Sequence, residues 1–353
     1  MASFNCTDYP TIALDVAAGE IIIIDQTLLP GEVKLLRLSK QEDIWEAIKV
    51  LRVRGAPAIG VTAGFAAYLA AKEIETDDPA LFRDQFNKAA DYIGSSRPTA
   101  VNLFWALDRM RRVVDEAVLK KASVSVIKEQ LLLESQAIRI EDIAICKAIG
   151  EHALGLLKPG MGLLTHCNAG RLATVEYGTA TSVMYLGHEK GYGFRIYCDE
   201  TRPLLQGARL TAFELAAAGM EPTVICDNMV SSLMQAGKVD AVFTGCDRVA
   251  ANGDSANKIG TSGVAIIAKH YGVPFYICAP SSTLDMKTPD GSGIVIEQRD
   301  SGEVTEMWYK QRMAPAEAAV YNPAFDVTEA SLIKGIITED GVFKPEELTG
   351  RYR

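Results

Sequence analysis

Gly162-Leu163-Leu164-Thr165-His166 is an apolar run of strand length that closes on Cys167-Asn168-Ala169-Gly170, a thiol followed by small and polar residues. Four further apolar runs follow, at residues 194–198, 223–226, 241–244 and 274–278, and helix-length segments separate them. Parallel strands need long crossovers, and helices are what usually fill them, so this alternation implies a parallel sheet covered by helices on both faces. The second half of the chain therefore reads as a Rossmann-like α/β unit. Several of its runs end in polar or reactive groups: Cys167-Asn168, Asp199-Glu200, Asp227-Asn228 and Cys246-Asp247. In an open sheet of this kind ligands bind outside the carboxyl ends of the strands, so groups far apart in sequence are expected to converge on one crevice.

The first half differs. Short β-like pieces at 11–14 and 20–25 give way to helix signals at 40–53, 58–72, 81–93 and 99–118, the second and fourth placed just after Pro57 and Pro98. Proline suits a helix's first turn because the amide it lacks would have no intrahelical acceptor there. A long amphipathic stretch, 124–157, then runs to Lys158-Pro159-Gly160 and bridges the halves. The expected architecture is α/β: a small, mainly helical N-terminal domain with short strands over residues 1–121, then a Rossmann-like parallel-sheet domain over 122–353 that begins with the long connecting helix. A chain of 353 residues also exceeds the roughly 250–300 that one hydrophobic core usually serves.

Composition narrows the function. The net charge of −9 argues against nucleic acid, whose backbone needs an electropositive face, although a few basic residues suffice for one small phosphate. The longest aliphatic run, Ile21-Ile22-Ile23-Ile24, falls far short of the roughly 18 apolar residues of a membrane helix. MASFNCTDYP lacks the basic start and apolar middle of a signal peptide, so a cytoplasmic location is expected. The seven cysteines form no CxxC, and Cys198, Cys226 and Cys278 lie in or at the ends of apolar runs, where a reduced thiol packs as a small hydrophobe. His152, His166, His188 and His270 show no metal-ligand spacing and read as satisfied or surface side chains. No strand is followed by GxGxxG, so a nicotinamide dehydrogenase does not fit. Neither a metal nor an organic cofactor is expected.

Four segments carry candidate chemistry, each beside a plainer alternative. Arg54-Gly55-Ala56-Pro57-Ala58-Ile59-Gly60 sets a guanidinium before a glycine and a proline-opened helix, and its paired donors and exposed helix end suit a phosphate. Ser95-Ser96-Arg97-Pro98-Thr99 repeats the arrangement. Each alone also fits an ordinary turn with a solvated arginine; two in one small domain favour phosphate. Cys167, where a strand ends and small residues bring amides close, suits proton transfer if a cation or amide dipole lowers its pKa, yet most buried cysteines are inert. The fourth segment runs from Thr244-Gly245-Cys246-Asp247 through Asn252-Gly253-Asp254 to Asn257-Lys258-Ile259-Gly260-Thr261. Desolvation at a strand mouth raises the pKa of Asp247 and preserves the proton of a general acid, although an aspartate there also commonly caps. Asp254 reads as a capping or exposed turn residue, and Lys258 as opening a helix within reach of phosphate or sugar oxygens.

With RGAPAIG (54–60), SSRPTAVNL (95–103), CNAG (167–170), ETRPLLQGARLTAFEL (200–215), GCDRVAANGDSANKIGT (245–261) and NPAFDVT (322–328) in this order, the chain resembles the methylthioribose-1-phosphate isomerase family. That family is related in fold to regulatory subunits of the translation-initiation nucleotide-exchange factor. The resemblance implies Cys167 and Asp247 as catalytic residues and substrate contacts at Arg54, Gly55, Ala56, Arg97, Gln206, Asn257 and Lys258. It further implies a homodimer that converts 5-methylthioribose 1-phosphate to 5-methylthioribulose 1-phosphate, a step of methionine salvage. A phosphate on the anomeric oxygen locks the sugar as a ring, so the acetal must open before hydrogen moves from C2 to C1. Asp247 is suited to protonating the ring oxygen and Cys167 to moving the C2 proton; a direct C2-to-C1 hydride shift is the other route, and both need water excluded.

Two features depart from the family pattern. Cys246 stands where a small residue is usual, and residues 306–315, EMWYKQRMAP, are longer and more aromatic. If that segment lines the pocket, Trp308 or Tyr309 would narrow it toward 5-deoxyribose 1-phosphate; a surface or dimer loop is the other reading. Ribose 1,5-bisphosphate would need a second phosphate site that the sequence does not offer. A noncatalytic regulatory protein of the same fold would have no need of both Cys167 and Asp247.

Overall fold

The computed structural model describes residues 10–98 and 100–352. Thr99 of the second anion motif, and all of MASFNCTDYP except Pro10, lie outside the described residues. The chain forms two units, Met1–Cys146 with Arg171–Gly178, and Lys147–Gly170 with Thr179–Arg353.

In the first unit, strands β1 (Ile12–Asp15), β2 (Glu20–Ile24) and β3 (Leu35–Leu38) form an antiparallel sheet in that order, with Ile23 of β2 opposite both Ile12 and Leu36. Five helices follow: α1 (Gln41–Lys49), α2 (Ala56–Glu73), α3 (Pro79–Gly94), α4 (Val101–Leu119) and α5 (Val124–Leu154). Every residue of α2 from Ala58 to Ala71 is buried, which makes it the central helix; its many small side chains let neighbours approach, and Gly60 lies against Asn102 of α4. Helix α4 presents Leu103, Ala106, Leu107, Met110 and Val114 to the same core at helical spacing. Asp78 caps α3, its carboxylate accepting from the Ala80 amide at 2.8 Å, with Pro79 in the first turn. Phe65, Phe82 and Phe86 are fully buried, and truncating one to alanine typically costs about 3–5 kcal/mol.

The division of the chain differs from the one expected at residue 121. Val124, Ile127, Leu131 and Ile138 of α5 are buried in the same core as α2 and α4, so most of the long helix belongs to the first unit. Arg171–Gly178 also returns there. Val175 joins the core, its amide donates to Asp142 of α5 at 2.8 Å, and Gln26 Nε2 donates to the Leu172 carbonyl at 2.7 Å.

In the second unit the chain runs β4 (Gly162–Thr165), α6 (Ser182–Glu189), β5 (Arg195–Asp199), α7 (Ala212–Ala217), β6 (Pro222–Ile225), α8 (Val230–Gln235) and β7 (Ala241–Thr244). It continues through β8 (Arg248–Ala250), β9 (Ser255–Lys258), α9 (Thr261–Tyr271), β10 (Phe275–Cys278), β11 (Leu284–Asp285) and α10 (Gly302–Thr305). It ends in β12 (Phe325–Thr328), β13 (Gly335–Thr338), β14 (Gly341–Phe343) and α11 (Leu348–Arg351). The main sheet has the order β14-β13-β10-β7-β4-β5-β6 and is parallel except for β14 at its edge. The five apolar runs of the sequence are β4, β5, β6, β7 and β10. The chain starts at β4, builds outward through β5 and β6, then returns to lay β7, β10 and β13 on the other side of β4. The gap between β4 and β7 is therefore the topological switch point.

A second, smaller sheet has the order β11-β8-β9-β12. It corrects one expectation: Lys258 does not open a helix but ends β9, opposite Phe325 of β12, and α9 starts at Thr261. Helix α4 likewise begins at Val101 rather than directly after Pro98. Among the described residues no helix is long and apolar enough to cross a membrane.

Candidate active site

Cys167 follows β4 and Asp247 follows β7, the two strands that flank the switch point. Their loops touch: a Cβ built on Gly245 would lie 2.5 Å from the Cβ of Ala169, so only glycine permits this approach. Cys167 is 7 % exposed and has φ 65°, a left-handed conformation uncommon for a residue with a side chain. Such positions cost on the order of 1–3 kcal/mol and persist where the surroundings over-determine them. Here the Cys167 amide donates to Thr201 Oγ1 at 2.9 Å, and its carbonyl accepts from Thr211 Oγ1 at 2.6 Å. The same Thr211 hydroxyl accepts from Asn168 Nδ2 at 3.1 Å, and Asn168 also donates to the buried Glu214 at 3.4 Å. Thr211 closes a π-helical turn, Gly207–Thr211, that begins at Gln206 and leads into α7. The CNAG and ETRPLLQGARLTAFEL motifs are thus two sides of one hydrogen-bonded assembly.

Asp247 is half-buried, and its amide donates to the Ala256 carbonyl at 2.9 Å, which sets the start of the β8–β9 hairpin. Burial, and then the charge of Asp247, hold the Cys246 thiol far above its ordinary pKa, and burial does the same to Cys198 and Cys278. Those three thiols are neutral at physiological pH. On β9, Asn257 Nδ2 donates to Thr261 Oγ1 at 3.0 Å. The buried Lys258 ammonium donates to the Ala324 carbonyl at 2.8 Å and lies 4.4 Å from the centre of the Phe325 ring, whose negative face offsets part of the lost hydration. Asp326 accepts from the amides of Gly260 at 2.8 Å and Ser262 at 3.1 Å and so caps α9. NPAFDVT therefore holds both Lys258 and the start of that helix.

His166, read from the sequence as a satisfied or surface side chain, is buried and satisfied. Its Nε2 lies 2.9 Å from the Ile259 carbonyl, which can only accept, so that nitrogen carries a proton. Its Nδ1 lies 2.9 Å from Asp199 Oδ2, and one proton is shared between them. Burial opposes the imidazolium, but the bond to Asp199 and the charges of Asp199 and Asp227 outweigh it and raise the His166 pKa. The ring fits because Gly260, φ 104°, has no Cβ; one built there would meet it at 2.8 Å. His166 thereby ties the residue before Cys167 to the residue after Lys258. The carboxylate of Asp227 accepts from the amides of Thr201 at 2.8 Å and Arg202 at 2.7 Å. Ligand atoms of His166, Asp199 and Asp227 lie within 4.8 Å of one another, close enough for a metal. Both ring nitrogens and both Asp227 oxygens are already hydrogen-bonded, however, so the group reads as a scaffold for the Cys167 and Thr201 loops.

In the first unit, Arg54 and Gly55 precede α2, Gly55 with φ 92° at the cap position, and Ala56 is the helix's first residue. Arg97 stands between α3 and α4. Because Gly60 lies against Asn102, the starts of α2 and α4 are side by side. Neither start has a side-chain cap among the described residues, so N–H groups of two adjacent helix ends accompany the two arginines.

A thiol and a carboxyl thus stand at the switch point of a parallel sheet, the place where open α/β sheets bind ligands. The chain belongs to the Initiation factor 2 subunit family, whose model matches residues 52–345. It is 60 % identical over 337 residues to methylthioribose-1-phosphate isomerase of Symbiobacterium thermophilum, covering 95 % of this chain and 92 % of that protein. It is 56 % identical over 331 residues to 5-deoxyribose 1-phosphate isomerase of Petrotoga mobilis, covering 94 % of each. The crystal structure of 5-methylthioribose 1-phosphate isomerase from Pyrococcus horikoshii OT3, 42 % identical, matches with a TM-score of 0.89 over 97 % of this chain and 94 % of that one.

Proposed function

We propose that the protein is an aldose–ketose isomerase that converts 5-methylthioribose 1-phosphate to 5-methylthioribulose 1-phosphate. The observation that carries this reading is the placement of Cys167 and Asp247 on touching loops from the two strands that flank the switch point. Arg54, Gly55, Ala56 and Arg97 bind the phosphate, and Gln206, Asn257 and Lys258 bind the sugar oxygens. Asp247 protonates the ring oxygen as the bond from C1 to that oxygen breaks. Cys167, as thiolate, takes the C2 proton and returns it to C1 while the C2 hydroxyl gives its proton to Asp247 and becomes the carbonyl. Both groups end as they began, and no metal or nicotinamide is consumed or required. The protein acts as a cytoplasmic homodimer in this reading.

5-Deoxyribose 1-phosphate is a second substrate, favoured by the name of the Petrotoga mobilis relative. The test is turnover of both sugar phosphates and of ribose 1,5-bisphosphate by the purified protein, run in deuterated water. Conversion of either of the first two supports the assignment, and failure on all three overturns it. Deuterium at C1 of the product marks the proton route through Cys167; a product without it fits either a direct hydride shift or a proton that Cys167 returns before it exchanges with solvent.

A further inference from the structure

Residues 306–315 are not a loose insertion. The Met313 amide donates to the Thr305 carbonyl at 2.9 Å, the Tyr309 amide to the Glu306 carbonyl at 2.9 Å, and Arg312 pairs with Glu306, so the segment closes back on α10. Its aromatic side chains reach the loop after β5. Trp308 lays its ring 4.5 Å from the Arg209 guanidinium and donates its indole N–H to the Pro203 carbonyl at 2.7 Å. The Arg202 guanidinium lies 5.5 Å from the Tyr309 ring and donates to the Val304 carbonyl at 2.7 Å. Both ends of residues 202–209 are therefore gripped by one strap.

The stretch between those grips is strained and incompletely satisfied. Leu205 has φ 57°, left-handed for a residue with a Cβ, and Gln206 begins the π-helical turn. Gln206 is 6 % exposed, and its Oε1 has no hydrogen-bond partner among the described residues. An amide oxygen in that position would turn toward water if its backbone were at liberty to move. A conformation with these costs persists only where contacts from outside impose it, and the strap supplies them. We propose that Trp308 and Tyr309 are positioning residues: they clamp the 202–209 loop and hold Gln206 in place for the sugar, instead of lining the pocket for the C5 substituent. This rests on the reading of Gln206 as a substrate contact.

The experiment measures steady-state kinetics of Trp308→Ala, Gln206→Ala and the double variant on whichever sugar 1-phosphate the wild type turns over, with the melting temperature of each. Trp308 is 38 % exposed, so its truncation empties no core and the fold should survive. Trp308→Ala should raise KM by about 5- to 30-fold with kcat within about twofold, the pattern of lost ground-state binding. In the Gln206→Ala background it should add nothing further. Wild-type kinetics in Trp308→Ala, a fall in kcat at constant KM, or effects that multiply in the double variant would each overturn the clamp while leaving Gln206 as a contact. Unchanged kcat/KM in Gln206→Ala overturns the reading of Gln206, and the clamp with it.

Discussion

Asp142 on α5 is 9 % exposed, and its carboxylate accepts the Val175 amide at 2.8 Å. Burial dominates its environment and pushes its pKa from 3.8 to about 7, against the Val175 hydrogen bond and the charge of Arg139. A carboxyl raised in this way binds its proton more tightly in the folded state than in the unfolded one. Its contribution to stability is therefore complete below about pH 4 and is lost as the pH rises through about 7, a loss of roughly 4 kcal/mol at most. Asp142→Asn keeps an acceptor oxygen for Val175 and abolishes the titration. The stability of the variant relative to the wild type should then grow by about 1.4 kcal/mol per pH unit between about pH 5 and 7 and level off above that. Urea denaturation of both proteins across this range checks it, because every other titrating group cancels in the difference. A difference that stays flat with pH, or shrinks as the pH rises, would refute the assignment of a buried, protonated carboxyl at this point.

Three further outcomes are expected. Cys167→Ser and Asp247→Asn should each lower turnover by about 10²- to 10⁴-fold with circular dichroism unchanged, and near wild-type activity in either removes that residue from the proton handling. Arg54→Ala and Arg97→Ala should weaken inhibition by product or inorganic phosphate more than they lower the melting temperature; unchanged inhibition in both would sink the phosphate assignment. Activity should survive prolonged chelation, and a loss restored by one particular divalent metal would contradict the hydrogen-bonded reading of His166, Asp199 and Asp227.

The main sheet was legible because a strand buried on both faces must be a continuous apolar run, and β4, β7 and β10 are buried at every residue. Strands β9 and β12 were not, since SANK and FDVT are polar and short; they exist because each pairs with the other across the gap between two distant motifs. Amphipathic spacing announced α5 as a helix with an apolar face, but not which core receives that face, and so the boundary near residue 121 fell too early. Cys167 and Asp247 stood out as reactive groups at strand ends, although motif resemblance was needed to choose them over Asp199 and Asp227. His166 read as a satisfied or surface side chain, but its partners were not legible because they come from the ends of two other segments. Trp308 was open to two readings, pocket wall or surface loop; it is exposed, and its contacts with Arg209 and Pro203 tie that surface segment to the loop after β5.

The π-helical turn also constrains the length of the chain. The Ala212 amide bonds the Gly207 carbonyl, a loop one residue wider than an α-helix closes. Deleting one residue there would regularise the hydrogen bonding and swing everything before it by about 100° around the helix axis. Thr211 would keep its grip on Cys167 while Gln206 turned away, or the reverse. Alignments of this stretch should accept changes of letter more readily than gaps, because the spacing between Gln206 and Thr211 is as much a working part as either side chain.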